Sequence, residues 1–295
     1  MKIYPYLVLV RPANVITAIS DVIAGAALSG VFVNSNSNSL ITNVILLCIA
    51  TSGLYAGGIV FNDVFDMETD QLERPERPLP LGNVSKNSAI IFGSILLLMG
   101  IITSALVSTL SLSISIVIAI AALAYDGYFK HFQIGGPLVM GLCRGLNLLL
   151  GMSILIDHLP SLSYISFIPV IFIAAITLTS QGEVLGNNRL SIIFALLLDF
   201  AVSIAILILA WNGLLEFWTV LPFVLLWIGM NAWAKSNAIV KNDSKHIMAA
   251  VKIGVISLIP LNASYAAGSS SWIIGVGVLT LLPVSLLLAR KFAVT

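Results

Sequence analysis

Charge is what this chain has least of. Lys, Arg, Asp and Glu make up 9% of its 295 residues, against roughly 25% in a soluble domain. Hydrophobic residues make up 59%. That balance excludes an ordinary soluble fold and points to an integral membrane protein. Cysteine is scarce too. Cys48 and Cys143 both lie in apolar runs without metal-ligand spacing, and they read as small core hydrophobes. The three histidines, His131, His158 and His246, are too far apart in sequence to suggest a zinc motif. The net charge of +1 makes no case for nucleic acid, and no such partner is expected. No cleavable signal peptide is expected either. Met1 to Pro12 is mixed in character, and the first apolar run begins near Ile16 and continues without a small-residue cleavage site.

What is present in quantity is apolar runs long enough to cross a bilayer, which takes about 17–25 residues. They fall at 14–33, 40–61, 88–107, 109–125, 135–156, 162–182, 190–211, 214–234, 247–267 and 271–289. The basic residues test this count. Lys2 and Arg11 precede the first run. Arg74, Arg77 and Lys86 follow the second, Lys130 the fourth and Arg189 the sixth. Lys235, Lys241 and Lys245 follow the eighth, with Lys252 just inside the ninth. Arg290 and Lys291 follow the tenth. By this reading only Arg144 falls inside a span, and the opposite loops carry no Lys or Arg. The positive-inside rule then predicts ten spans with both termini cytoplasmic. Nine spans, which would put Arg290 and Lys291 outside, are the second choice. Backbone polar groups in lipid must be satisfied internally, so the fold class expected is all-α, a polytopic bundle of nine to ten helices around a central cavity. The whole chain, 1–295, reads as one transmembrane domain.

The scarce charge is gathered in a few places. Six of the 13 acidic residues fall between Asp63 and Glu76, with Arg74 and Arg77 among them. Charge this dense beside a span is costly and points to function. Asn62, Asp66 and Asp70 stand at i, i+4 and i+8, so on a helix they form one stripe. Such hard oxygen ligands suit Mg²⁺, which prefers a few carboxylates, water and substrate phosphate. Arginine's planar fork suits phosphate. The plain alternative is a solvated acidic loop at the membrane surface. A second cluster runs from Ser180 to Arg189, with Glu183 and Asn187 one helical turn apart. Its plain alternative is a polar helix cap. About 120 residues separate the two clusters, and four helices between them put both on one side of the membrane.

The third element joins Tyr125-Asp126-Gly127-Tyr128-Phe129-Lys130 to Arg144 and Asn147 in the fifth span. Lys130 alone could be a snorkelling lysine. A buried arginine faces the protein interior or a water-filled cavity. For Arg144 the structural alternative is an ion pair with Asp21 or Asp199. In the first span Arg11, Asn14 and Asp21 face one side, and Asn14 is expected to line the cavity. Asp199 stands isolated in the seventh span.

The pattern Asn62-Asp63-x-x-Asp66-x-x-x-Asp70-x-x-x-Arg74-x-x-Arg77-Pro78-Leu79-x-x-Gly82 resembles the first signature of the UbiA superfamily of intramembrane prenyltransferases. The Tyr125–Lys130 segment and the hydropathy pattern resemble that family too. The stretch from Gly136 to Gly151, with Ser180-Gln-Gly-Glu-Val, looks most like its EboC-like branch. The resemblance implies a Mg²⁺-dependent enzyme that moves an isoprenoid group from a prenyl diphosphate to a small aromatic or lipophilic acceptor inside an inner, or cell, membrane. It implies metal binding by Asn62, Asp63, Asp66, Asp70, Glu183 and Asn187. Asp66, Asp70 and Glu183 would be catalytic, and Arg74, Arg77 and Lys130 would hold the diphosphate. Asn14, Arg144 and Asn147 would line the substrate cavity, and membrane lipid would surround it. The second signature departs from the family's Asp-x-x-x-Asp: Glu183 and Asn187 supply one carboxylate where two are usual. A secondary transporter and a non-catalytic isoprenoid-lipid-binding protein are the competing readings.

Overall fold

A computed structural model describes residues 3–33, 38–132, 135–181 and 186–292. Every regular element among them is helical. In chain order these are α1 (Tyr4–Leu9), α2 (Pro12–Leu28), α3 (Asn38–Phe65), α4 (Met67–Glu73), α5 (Lys86–Ala105), α6 (Thr109–Gly127), α7 (Gly135–Met152), α8 (Leu159–Leu162), α9 (Phe167–Ser180), α10 (Arg189–Trp211), α11 (Phe217–Lys241), α12 (Ser244–Ile256), α13 (Leu258–Ser269), α14 (Trp272–Leu279) and α15 (Leu281–Lys291), with short 3-10 turns between some of them. Several helices start where a polar side chain takes up an orphan backbone N–H. Ser85 accepts from Ser88, Ser108 from Ser111, and Asp243 from His246.

Among the described residues, nine helical stretches are long and apolar enough to span a membrane. Ser244–Ser269 and Trp272–Lys291 count as one each, although each breaks briefly at Ser257 or Thr280. These nine match the second to tenth expected runs. The first expected run is a shorter helix of 17 residues, Pro12–Leu28. It is almost wholly buried: Ala18, Val22, Ala24 and Ala26 are inaccessible to solvent. The helix that opens the chain's bundle is therefore at its centre.

Two crossings set the centre of the bundle. Helices α2 and α7 meet through Gly25 and Gly151. A Cβ built on Gly151 would lie 2.9 Å from the Cα of Val22, closer than real contacts allow, so only glycine permits this approach. One turn back along each helix stand Asp21 and Asn147, and Arg144 lies a further turn back on α7. The close crossing thereby brings two ionisable side chains together inside the membrane. A second core forms where Phe172, Trp227 and Tyr265 of α9, α11 and α13 pack, with the Phe172 and Trp227 rings edge to face at 4.9 Å.

One residue departs from the expected loop pattern. Lys235 does not follow a span. Helix α11 continues to Lys241, and Lys235 lies within it, 1% exposed. Its Nζ donates to Asp199 Oδ2 of α10 at 2.5 Å. Asp199 is thus not isolated, and Lys235 does not count toward the topology rule. A charge this far from water is tolerable only beside its counter-charge.

The pair generates a prediction. Lys235→Met leaves Asp199 buried alone and should lower stability in detergent by about 3–5 kcal/mol. The double change Asp199→Leu with Lys235→Met should recover most of that loss. Thermal unfolding followed by tryptophan fluorescence reads both; equal loss in single and double variants would contradict the pairing.

Candidate active site

The stripe at the end of α3 is real and continuous. Regular helix is interrupted at Asp66, between α3 and α4, where φ is −85° and ψ 2°, yet the helical bonding pattern crosses that point. Asp66 N–H donates to the Asn62 carbonyl at 2.9 Å, Asp70 to Asp66 at 2.8 Å, and Arg74 to Asp70 at 2.9 Å. Residues four apart therefore stay stacked through the break. Asn62, Asp66, Asp70 and Arg74 all line one cavity of about 540 Å³. Arg77 and Lys130 line it as well, the latter from the 3-10 turn Phe129–His131.

The polar end of the cavity is held by crossed ion pairs. Lys130 Nζ is bonded to Asp66 Oδ1. Arg77 Nη1 donates to Asp70 Oδ2 at 2.7 Å and to Asp63 Oδ1 at 3.2 Å. Asp63 also accepts from Arg11 Nη2 at 2.7 Å. Arg11 sits at the bend between α1 and α2 in the left-handed region, φ 45°. That region is costly for a bulky residue, and here it accompanies a guanidinium carried onto the end of α3. Burial pushes the Arg11 guanidinium below its ordinary value, with the Asp63 charge pulling it back up.

Asp63 itself, expected among the metal-binding residues, is 3% exposed and is not among the residues that line the cavity. Its carboxylate joins Arg11 to Arg77 from behind the stripe. Asn62 gives its amide N–H to Asp126 Oδ1 at 2.9 Å, so the amide oxygen is the atom it can offer a ligand. The donor set suits Mg²⁺: two carboxylates and one amide oxygen at the wall of a cavity with room for phosphate and water. Among the described residues no group of three or more His, Cys, Asp and Glu side chains could hold a metal. Phosphate oxygens and water would therefore have to complete the coordination.

The second cluster fares differently. Glu183 lies outside the described residues. Asn187, φ 60°, is turned to the link after α11. Its N–H donates to the Asn242 carbonyl at 3.1 Å and its Oδ1 accepts from Asn242 Nδ2 at 3.1 Å. It does not line the cavity. Thr177 and Ser180 of α9, just before the cluster, do.

Deeper in, the cavity is walled by Leu54, Ile118, Ile173, Ile176, Val255 and Leu258. Asn14, Arg144 and Asn147 line it as expected. Arg144 also makes the ion pair that was its structural alternative, to Asp21 at 2.6 Å. Cys143 is a lining residue rather than a core hydrophobe. Asp126, Tyr55 and Thr51 line the cavity without having been singled out for it. The signal for the last two was present: Thr51 and Tyr55 precede Asn62 by 11 and 7 residues and continue its face of α3. At the opposite end of the bundle a more open depression of about 490 Å³ is lined by Glu216, Trp218 and Gly268 and by no Lys or Arg.

Comparison with known proteins bears on the family and the fold. The sequence model of the UbiA prenyltransferase family matches residues 23–253. Digeranylgeranylglyceryl phosphate synthase of Sulfurisphaera tokodaii is 31% identical over 184 residues, 61% of this chain and 63% of that protein. Its counterpart in Saccharolobus solfataricus is 32% identical over 151 residues, 51% of this chain and 52% of that protein. The chain thus spans between about half and somewhat under two thirds of these relatives' lengths. A UbiA homolog from Archaeoglobus fulgidus bound to DMAPP and Mg²⁺ shares the fold at TM-score 0.67 and 15% identity, covering 93% of this chain and 99% of that one. An apo UbiA homolog from Aeropyrum pernix does so at 0.66 and 15%, covering 84% and 96%.

The two neighbouring aspartates should separate in their effects. Asp63→Ala strands Arg11 and leaves Arg77 to Asp70 alone, and should lower the melting temperature clearly. Asp66→Ala removes a carboxylate whose side chain is 26% exposed and should leave it nearly unchanged. Thermal scans of the two purified variants check this; equal destabilisation would refute the division of roles.

Proposed function

Because the chain belongs to the UbiA prenyltransferase family, we propose that it transfers an isoprenoid group from a prenyl diphosphate to a lipophilic acceptor within the membrane. The observation that supports this most is the shape of the charge distribution. One cavity has a polar end where Asn62, Asp66 and Asp70 face Arg74, Arg77 and Lys130, and it continues into an apolar interior. A diphosphate with a prenyl tail has the same two-part character. The Archaeoglobus fulgidus homolog that shares this fold holds DMAPP and Mg²⁺, which is in keeping with such a ligand.

Asn62, Asp66 and Asp70 would hold Mg²⁺, which when bound would supply positive charge to the diphosphate. The chain's own residues do the rest. Arg74, Arg77 and Lys130 bind the phosphate oxygens through charge-assisted hydrogen bonds. Arg77 and Lys130 are pre-paired with Asp70 and Asp66, so they are already in place where charge develops as the allylic C1–O bond breaks. Leu54, Ile118, Ile173 and Val255 keep water from the carbocation-like carbon. The acceptor attacks that carbon, and a carboxylate such as Glu183 takes its proton. With Asn187 turned toward Asn242, the second signature contributes Glu183 as its one carboxylate. Within the family we assign the chain to the EboC-like branch, on the stretch Gly136–Gly151. We read it as one domain of an inner or cell membrane, with both termini and the charged loops on the cytoplasmic side; after removal of Lys235 from the count, the remaining loop cations still favour that side.

The test is diphosphate release from allylic prenyl diphosphates by the purified protein in detergent. Release should require Mg²⁺ and should fall by about 100-fold or more in Asp66→Ala and Asp70→Ala, the scale of losing a principal electrostatic contact. Lys130→Met should raise KM for the diphosphate. Full activity in Asp66→Ala, with protein folded, would overturn the assignment.

A further inference from the structure

The inner wall of the cavity contains a cation whose charge is already cancelled. Arg144 is 4% exposed. Its Nη1 donates to Asp21 Oδ2 at 2.6 Å, and its Nη2 to Thr17 Oγ1 at 2.6 Å and to the Tyr55 hydroxyl at 3.1 Å. Both Asp21 oxygens are occupied. Oδ2 also accepts from Asn147 Nδ2 at 2.9 Å, and Oδ1 accepts from Asn262 Nδ2 at 2.6 Å. Asn147 has little left to offer a ligand, since its Oδ1 accepts from Thr51 at 2.7 Å and its Nδ2 also donates to the Ala18 carbonyl at 2.9 Å. The Thr17 proton goes to the Asn14 carbonyl at 2.7 Å.

Tyr55 differs from its neighbours. Its oxygen accepts from Arg144, and a phenol has one proton of its own to donate. The guanidinium carbon of Arg144 lies 4.6 Å from the centre of its ring. Accepting from a cation makes that hydroxyl a stronger donor in turn. The group presented to a ligand here is a polarised O–H on a charge-neutral base.

Resting on the prenyl-transfer reading, we propose that the acceptor enters with an uncharged oxygen-bearing head, an alcohol or a phenol, held by the Tyr55 hydroxyl, and that carboxylate- and phosphate-bearing acceptors are disfavoured. A carboxylate or phosphate placed beside the Arg144–Asp21 pair would lose its hydration without meeting net positive charge. It would also face the donor's diphosphate across a low-dielectric cavity. A neutral hydroxyl avoids both costs. The step balances: the acceptor's electron pair forms the new bond to C1 while the C1–O bond breaks, diphosphate departs with that bond's electrons, and the acceptor's proton passes to an oxygen of the departing diphosphate.

Binding to the full chain in nanodiscs, loaded with Mg²⁺ and a non-reactive geranyl thiodiphosphate, tests this by calorimetry. The probes are two matched pairs: 4-hydroxybenzyl alcohol with 4-hydroxybenzoate, and an alkylglycerol with its phosphate ester. The neutral member of at least one pair should bind about tenfold or more tightly than its anionic partner. Tyr55→Phe should weaken the neutral probe while leaving the thiodiphosphate affinity unchanged. Asp21→Asn, which uncovers the Arg144 charge with little change of shape, should shift preference toward the anion. Tighter binding of the anionic members by the unaltered protein, or no binding of either neutral probe, overturns the acceptor class while prenyl transfer stands. Failure to bind the thiodiphosphate at all overturns the prenyl-transfer reading instead.

Discussion

A charge inside a membrane protein must have a partner, and that requirement organises this molecule. Among the described residues, such pairs occur within the spans and at their ends. Asp21 meets Arg144, and Asp199 meets Lys235. Asp63 is shared by Arg11 and Arg77, and Asp66 pairs with Lys130. Each joins two separate segments of the chain, and so ties them together as well as satisfying a charge. The pairs differ in what surrounds them. Asp199 and Lys235 are enclosed in the core, 0% and 1% exposed at the side chain, and have no access to the cavity. The Asp66 pair opens to it. Burial thus sorts chemically similar pairs into those that hold the bundle and those that can exchange partners with a ligand.

The sorting depends on backbones that approach closely. Without the glycine contact of α2 and α7, Asp21 could not reach Arg144 and Asn147 together. Both charged groups would then need water, which lipid does not provide. The polar end relies on a different device. The helical bonding carried through the break at Asp66 keeps Asn62, Asp66, Asp70 and Arg74 in register although regular helix is interrupted there. A plain loop after α3 would carry the same residues but would scatter them.

Local periodicity explains which parts were legible from sequence. Apolar runs of span length and the i, i+4, i+8 stripe are properties of one helix, so both could be read directly. Lys235 was misplaced because its setting depends on Asp199, 36 residues away on another helix. A lysine near the end of a hydrophobic run looks like a loop residue until its partner is known. Asp63 and Asp66 have the same chemistry and neighbouring positions. Which one faces the cavity depends on where Arg11 arrives, and that is set by the bend before α2. Asn187 has a helical spacing from Glu183, which lies outside the described residues; Asn187 itself is in non-helical chain docked on Asn242, a contact 55 residues away that no local spacing announces. Tyr55 and Thr51 were readable in principle, since they continue the Asn62 face, but neither is charged, and the charged residues drew the reading.

The competing reading as a secondary transporter turns on the same pairs. Coupling by an intramembrane carboxylate requires it to exchange protons or ions with a pathway. Asp21 has both oxygens taken by Arg144, Asn147 and Asn262, and Asp199 is sealed in the core. Neither has an open route. The exchangeable carboxylates, Asp66 and Asp70, sit at one end of the cavity beside three cations, an arrangement suited to a polyanion that also carries metal. Asp199 retains one buried oxygen, Oδ1, without a hydrogen-bond partner among the described residues. That atom is a cost borne inside the core and not an opening to a pathway. The placement of the satisfied and the accessible acids, more than their number, favours chemistry on a phosphorylated lipid over movement of an ion.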